Sequence, residues 1–367
     1  MPFLPDLVLP HGRLSLPAFL PDATRGLVRA VDNTDLQTGG VQAVVMSLFH
    51  LLQRPGASTI KACGDLHSLF GWPQPIITDS GGFQAYSLIH QNPAMGTISD
   101  QGLLFRGESG SKPLHLSPEK VIQQQLAFGA DIVICLDECT HADAPLVEQR
   151  AAVRRTIAWA RRCKREFERL LDERRTQSQR PQLYAVIQGG AEPDLRRECA
   201  TELLTLGFDG YGLGGWPLDG QGHLLSEIIA YVRDLVPARF PLHALGVGHP
   251  QHILDCAQMG YALFDSAMPT RDARHGRLLI WQAEEGVPLV RQTRWYGHLY
   301  IHDDVHRRDR RPLADGCACP CCSRYSRAYL HHLFKIGDGL FDRFATLHNI
   351  YFINRLMERI RSEQSAL

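Results

Sequence analysis

Six short apolar runs in this chain end on residues that can do chemistry. "PIIT" (75–78) leads to Asp79, "DIVICL" (131–136) to Asp137-Glu138-Cys139, and "LYAVI" (183–187) to Gln188-Gly189-Gly190. "FDGYGL" (208–213) leads to Gly214-Gly215, "LHALGV" (242–247) to Gly248, and "YALF" (261–264) to Asp265. Asp, Ser and Gly are ordinary turn residues, so the "TDSGGFQ" after "PII" taken alone reads as a tight turn. The same ending on run after run points instead to one shared site. Two carboxylates across a site suit glycosidic chemistry, one as nucleophile and the other as general acid/base. A further Asp beside a Gln, with bare glycine backbone, suits the edge of a purine-like base: the carboxylate accepts from N–H groups, and the amide both donates and accepts. No Ser-His or Cys-His nucleophilic pair is evident.

A second constellation lies near the C-terminus. Cys317-x-Cys319-x2-Cys322, followed after about 25 residues by His348, offers three thiolates and an imidazole. That set suits a closed tetrahedral zinc site of structural type, with Cys321 as a competing ligand. Such a clip would pin "SRYSRAYLHHL" as a helix against the rest of the molecule.

The elements that must hold these residues follow from the rhythm of the chain. The runs, with "VQAVVMSL" (41–48) before them, alternate with helical stretches. Ser117 reads as an N-cap with Pro118 at the first helical position and Gly129 as the stop. Val153, Ile157, Ala160, Phe167 and Leu171 recur at helical spacing within 146–175. Strands alternating with helices imply a parallel sheet, and seven or eight units suit a (β/α)8 barrel, whose C-terminal rim would collect all six run ends. A doubly wound open sheet is the alternative, weakened because no G-x-G-x-x-G follows an early strand.

Composition sets the limits. The chain has 367 residues, 44% hydrophobic and 21% charged, with zero net charge. A nucleic-acid partner would therefore need a local basic patch. Candidates are "RDARHGR" (271–277), "RQTRWYGH" (291–298) with Trp295 and Tyr296 interleaved, and "HRRDRR" (306–311), the last equally readable as a solvated loop. No apolar stretch reaches the roughly eighteen residues of a membrane span. "MPFLPDLVLPHGRL" does not read as an export signal, so a cytoplasmic location with reduced thiols is expected for the ten cysteines.

Taken together, "TDSGGFQ", "DIVICLDECT", "VIQGG", "FDGYGLGG", "LGVGHPQ", "LFDSAMPTRDARHG" and "CACPCCSRYSRAYLHHL…TLHN" resemble the bacterial-type tRNA-guanine transglycosylases (queuine tRNA-ribosyltransferases) over nearly the whole chain. The resemblance implies a (β/α)8 TIM barrel over 1–300, a zinc-binding subdomain over 301–350 and a C-terminal helix over 351–367 packing back on the barrel. It implies exchange of guanine at the wobble position of target tRNAs for a 7-substituted 7-deazaguanine, by double displacement through an Asp–ribose intermediate. By position, Asp265 matches the nucleophile and Asp79 the general acid/base. Asp137, Gln188 and the Gly215 backbone match the base-recognising groups, Phe83 the stacking ring and Leu245 the opposite wall. Ser80 and Gln84 match supporting residues, and Arg271 and Arg274 match RNA contacts. The ligands of one structural Zn2+ would be Cys317, Cys319, Cys322 and His348, leaving Cys321 free. The implied partners are the tRNA anticodon loop, the 7-deazaguanine base and a second copy of the chain.

The sequence also departs from the family pattern. Ser47 and Leu48 stand where relatives have Asn-Thr, and "PDATRGLVRA" replaces an early Gly-Thr-Tyr-Gly motif. The loop "GGWPLDGQG" carries Trp216 where Leu is usual and Gly220 where Glu is usual. That loop borders the 7-substituent, so prequeuosine base, queuine and other 7-deazaguanines stay open as substrates, although Cys139 agrees with the bacterial type. Two other readings are a non-catalytic tRNA-binding partner subunit and a base exchanger acting on DNA. The three aspartates together argue against the first, and the zinc motif with "PTRDARHG" against the second.

Overall fold

The computed structural model describes residues 4, 6–106, 113–141, 143–174 and 179–365. Residue 175 of the expected 146–175 helix and residues 366–367 of the expected C-terminal helix lie outside them. Among the described residues, eight parallel strands form one sheet. In chain order they are β1 (Ala18–Pro21), β2 (Val44–Ser47), β3 (Ile76–Asp79), β4 (Ile132–Ile134), β5 (Gln182–Ile187), β6 (Gly210–Leu213), β7 (Leu242–Ala244) and β8 (Leu263–Ser266). β8 pairs with β1, so the sheet curls round, and a parallel bridge between Asp22 and Val45 joins its two edges. The architecture is the (β/α)8 barrel.

One strand falls outside the apolar runs. β1, "AFLP", is four residues long and ends in proline, which donates no ladder hydrogen bond. Its neighbour β8 supplies the missing context through the pairs Leu263–Ala18 and Asp265–Leu20.

Side-chain alternation explains the rim. Ala18, Leu20, Val45, Ile77, Ile132, Ile134, Tyr184, Val186 and Leu263 form an apolar cluster inside the barrel. Their neighbours Phe19, Val44, Met46, Ile76, Val133, Ala185, Ile187 and Phe264 face outward into the larger core beneath the helices. Two residues beyond the last inward apolar position, five of the eight strands turn polar: Leu20 to Asp22, Val45 to Ser47, Ile77 to Asp79, Val186 to Gln188, Leu263 to Asp265. The period of two therefore stacks one polar layer on an apolar plug.

Helices α1 (Gly82–Gln91), α2 (Pro118–Ala127), α3 (Leu146–Arg174), α4 (Pro193–Leu206), α5 (Ser226–Leu235), α6 (Pro250–Met259) and α7 (Met268–Arg274) follow the strands. α2 starts as its sequence suggests: the Ser117 side chain accepts from Lys120 N, and Gly129 adopts φ +82° beyond its end. After α7 come an antiparallel pair, β9 (Arg277–Trp281) and β10 (Tyr296–Tyr300), then α8 (Arg327–Ile336) and α9 (Gly339–Ser365). α9 runs unbroken through residue 350 and packs back on the barrel. Arg343 makes two bonds of 2.7 and 2.8 Å to Asp35, and Arg361 Nη1 donates to Pro17 O.

An N-terminal hairpin (Leu7–Leu9 with Gly12–Leu14) plugs the opposite end of the barrel with Leu9 and Leu14. Buried Asp131 ties it down: Oδ1 faces both His11 N (2.9 Å) and His11 Nδ1 (3.0 Å), and Oδ2 accepts from Ile76 N. His11, His67 and Asp131 are close enough together to suggest metal ligands. The Asp131 oxygens already face N–H groups, however, and the two imidazoles stack face to face at 3.5 Å. The cluster is a hydrogen-bonded anchor.

Candidate active site and metal centre

The polar layer opens into a cavity of about 370 Å³, within the range of small-molecule sites. Asp79, Ser80, Phe83, Gln84, Asp137, Gln188, Gly215, Leu245 and Asp265 all line it. Arg271 and Arg274 do not. They lie on α7, directly after β8, with Arg271 exposed. Arg274 Nη1 is buried with no partner among the described residues, and burial followed by the nearby Arg29 cation lowers its pKa.

Asp79 is partly buried at the cavity wall. Its Oδ1 accepts from Leu48 N and Gly81 N at 3.0 Å each, and its Oδ2 from Gln84 Nε2 at 2.9 Å. Burial outweighs these donors and pushes its pKa up to about 7, so the group can hold or release a proton near neutrality. Gly81 adopts φ +77°, and a Cβ there would meet Phe49 Cβ at 2.9 Å, which accounts for the first glycine of "DSGG".

Asp137 lies in the loop after β4, the strand paired with β3, and so stands next to the Asp79–Gly82 turn. Gln188 Nε2 donates to its Oδ2 at 2.7 Å and Ser80 Oγ to its Oδ1 at 3.2 Å. Burial raises its pKa to about 6. Gln188 Oε1 is buried and has no donor among the described residues. Gly214 makes room for that amide, since a Cβ there would lie 2.4 Å from Gln188 Nε2. Carboxylate and amide oxygen together present acceptors to a ligand edge rich in N–H groups.

Asp265 completes the ring of carboxylates. Its Oδ1 receives His243 Nε2 at 2.8 Å and Gly246 N at 3.0 Å. Phe83 and Trp216 form the lip, both largely exposed, with ring centroids 5.7 Å apart.

Several lining residues were not among the sequence candidates: Asp22, Thr24 and Pro217. Asp22 was hidden with its strand. Thr24 N donates to Asp22 Oδ1 at 2.9 Å, and burial raises the Asp22 pKa. His243, behind Asp265, was hidden inside "LHALGV", where an inward histidine reads as one polar interruption of an apolar run.

One expectation is overturned. Trp295 cannot interleave with nucleic acid: it is 1% exposed, packs against Trp281 and Phe352, and donates Nε1–H to Gln251. Its apolar surface is used to seat β10 on α9. In "HRRDRR", Asp309 is held by Arg311 (2.8 Å) and by Arg327 (3.1 Å), so part of that charge serves the loop itself.

Cys317, Cys319, Cys322 and His348 converge as one buried group able to hold a metal ion. The three sulfurs lie 3.9, 3.5 and 3.4 Å from His348 Nδ1. Tetrahedral zinc with ordinary Zn–S and Zn–N bonds would set these separations at about 3.6 Å. His348 Nε2 donates to Leu279 O at 2.8 Å, which fixes Nδ1 as the ligating atom. Cys321 is fully buried but stands outside the group, in the apolar cluster of this region.

Comparison with known proteins agrees with the geometry. The family model described as queuine tRNA-ribosyltransferase matches residues 4–364. Proteins named queuine tRNA-ribosyltransferase are 36% identical in Psychrobacter sp. over 351 residues (96% of this chain, 86% of the relative) and 36% identical in Thermotoga maritima (96% and 88%). Another, in Halothermothrix orenii, is 35% identical (98% and 89%). A barrel enzyme with this rim is thus a pentosyltransferase. The chain belongs to the queuine tRNA-ribosyltransferase family.

Proposed function

We propose that this enzyme exchanges guanine at the wobble position of target tRNAs for a 7-substituted 7-deazaguanine, through a covalent Asp265–ribose intermediate. The carrying observation is the order of groups round one cavity: Asp79 and Asp265 as two carboxylates, with the Asp137–Gln188 pair beside them. In this reading Asp265 attacks C1′ and Asp79 protonates the departing base, then deprotonates the incoming one. Asp137 and Gln188 hold the base edge, Phe83 stacks on the ring, and Leu245 and the Gly215 backbone form the walls. Arg271 and Arg274 bind the flanking RNA. Zinc, held by Cys317, Cys319, Cys322 and His348, supplies only structural cross-linking, away from the reacting atoms. The assembly is a homodimer in the cytoplasm.

The direct test is incorporation of labelled guanine into bulk tRNA, competed by each candidate 7-deazaguanine. Asp137→Asn is expected to fold but lose exchange, because an amide N–H then faces the donors of the base, at about 1–3 kcal/mol per buried unpaired group. Unchanged incorporation by this variant would remove Asp137 from base recognition. Trp216→Leu opens the lip and should reorder the competing bases. If their order is the same in variant and wild type, the lip does not set specificity. Restoring Glu at Gly220 is a poorer probe, since a Cβ there lies 3.2 Å from Asp143 Oδ2 and would bring two carboxylates together.

The pKa directions give a pH profile. Asp79, raised to about 7, must start protonated, so kcat/KM falls as pH rises through that value. Asp137, raised to about 6, must be ionised to accept, so kcat/KM falls as pH drops through that value. A bell with its maximum between them is expected. A profile flat from about pH 5 to 8 would contradict both assignments.

A further inference from the structure

His243 lies on β7, where Leu242 and Ala244 face outward into the helix-covered core. By alternation His243 faces inward, in register with Gly212 on one side and Leu263 on the other. It is an imidazole in the apolar plug of the barrel, 1% exposed, one layer below the cavity. Its Nε2 reaches up to Asp265 Oδ1 at 2.8 Å. Its Nδ1 is buried and meets no partner among the described residues.

This asymmetry decides the tautomer. A carboxylate oxygen only accepts, so Nε2 carries the hydrogen. A second proton on Nδ1 would be stranded unpaired in the interior, which proteins avoid. Gly246 N donates to the same Oδ1 at 3.0 Å. Both donors therefore converge on one oxygen of Asp265 and neither on the other.

We propose that His243 is a positioning residue of the transfer reaction: with Gly246 N it anchors Oδ1 of Asp265 and thereby assigns Oδ2 as the atom that attacks ribose. The inference rests on the reading of Asp265 as nucleophile. In the first step an Oδ2 lone pair forms the bond to C1′. The C1′–N9 bond breaks with its electron pair to guanine, which takes a proton from Asp79. Oδ1 becomes the ester carbonyl, still cradled by two N–H groups. In the second step the incoming base, deprotonated by Asp79, attacks C1′. The C1′–Oδ2 electron pair returns to Asp265, and the charge growing on the leaving carboxylate is met by the same two donors. Fixed donors aimed at developing charge stabilise both transition states without reorganising.

The experiment compares His243→Phe, which keeps a ring but removes the donor, with His243→Gln, which replaces Nε2–H by an amide N–H. Phe should lower kcat about 10²-fold, the scale of a nucleophile left free to rotate. KM for guanine and for tRNA should stay near wild type, and Gln should recover most of kcat. Wild-type kcat in the Phe variant, or a loss carried wholly by KM, would overturn the proposal. Should Phe fail to fold, 15N-histidine NMR of the wild-type enzyme decides, with the His243 signal identified by its absence in the Gln variant. An Nε2–H tautomer with bare Nδ1 supports the cradle, and a proton on Nδ1 overturns it. Asp265→Asn is assayed alongside. If it keeps full exchange, the nucleophile reading itself fails; if it is dead while Phe is fully active, only the role of His243 fails.

Discussion

Asp265→Asn should abolish base exchange, with a loss of at least about 10³-fold, the scale of removing a covalent nucleophile. The argument is stereochemical first. Exchange that retains the sugar configuration needs two inversions, and the first must come from a group on the face opposite the base. Asp265 and Asp79 are the end residues of inward-facing alternations on β8 and β3, with β1 and β2 between them in the ring, so one ribose can lie between them. Their surroundings then divide the roles. Asp79 can hold a proton near neutrality, as an acid/base must, whereas Asp265 offers one oxygen with no donor among the described residues. Asn keeps size and shape while losing the negative charge, so the variant should fold. Incubation with substrate tRNA and a 7-deazaguanine inhibitor, followed by a denaturing gel, should show a slow protein–RNA band for wild type and none for Asp265→Asn. A band that survives in Asp265→Asn but disappears in Asp79→Asn would reverse the two roles. Normal exchange by both variants would dismiss the site.

How far the sequence discloses this arrangement depends on the kind of signal each residue carries. Asp79, Asp137, Gln188 and Asp265 are visible because each breaks an apolar run, and a parallel barrel gathers strand ends on one rim. The cluster of Cys317, Cys319, Cys322 and His348 is visible because cysteines at that spacing have few other uses. β1 is invisible because four residues ending in Pro21 look like a loop until β8 supplies their partner. Asp22 goes with it. His243 is invisible for the opposite reason: it sits inside a run, and only the pairing with Leu263 shows that it points into the barrel, where it meets Asp265. Trp295 misleads because an aromatic among arginines has the composition of an RNA contact, while its burial is decided by Trp281 and by Phe352 on α9, a distant part of the chain. Local composition reports what a residue could bind, and long-range packing decides whether it is free to do so.

Cys322→Ser should cost at least about 4 kcal/mol and release the metal, because closing a site of this type is itself folding free energy. The loop of Cys317, Cys319 and Cys322 has little regular structure, and its sulfurs meet α9 at His348. Without the ion, side chains whose ligand atoms lie within 4.8 Å of one another lose the bonds that join loop to helix, and only apolar packing against Phe341, Phe344 and Ala345 is left there. The damage should not stay local. His348 Nε2 is bound to Leu279 O, and the next residue, Asn349, bonds Leu279 N and Pro269 O, so α9 is tied to β9 and to α7. α7 follows Asp265 directly and carries Arg271 and Arg274, so loosening α9 should weaken tRNA use more than base binding. Cys321→Ser is the control. It puts a hydroxyl in an apolar cluster, at about 1–3 kcal/mol if left unpaired, yet should keep the metal. Elemental analysis and thermal melts of the two variants, with and without a chelator, read these outcomes. Purified wild-type protein lacking stoichiometric zinc would end the proposal, and loss of metal in Cys321→Ser with retention in Cys322→Ser would move the third thiolate to Cys321.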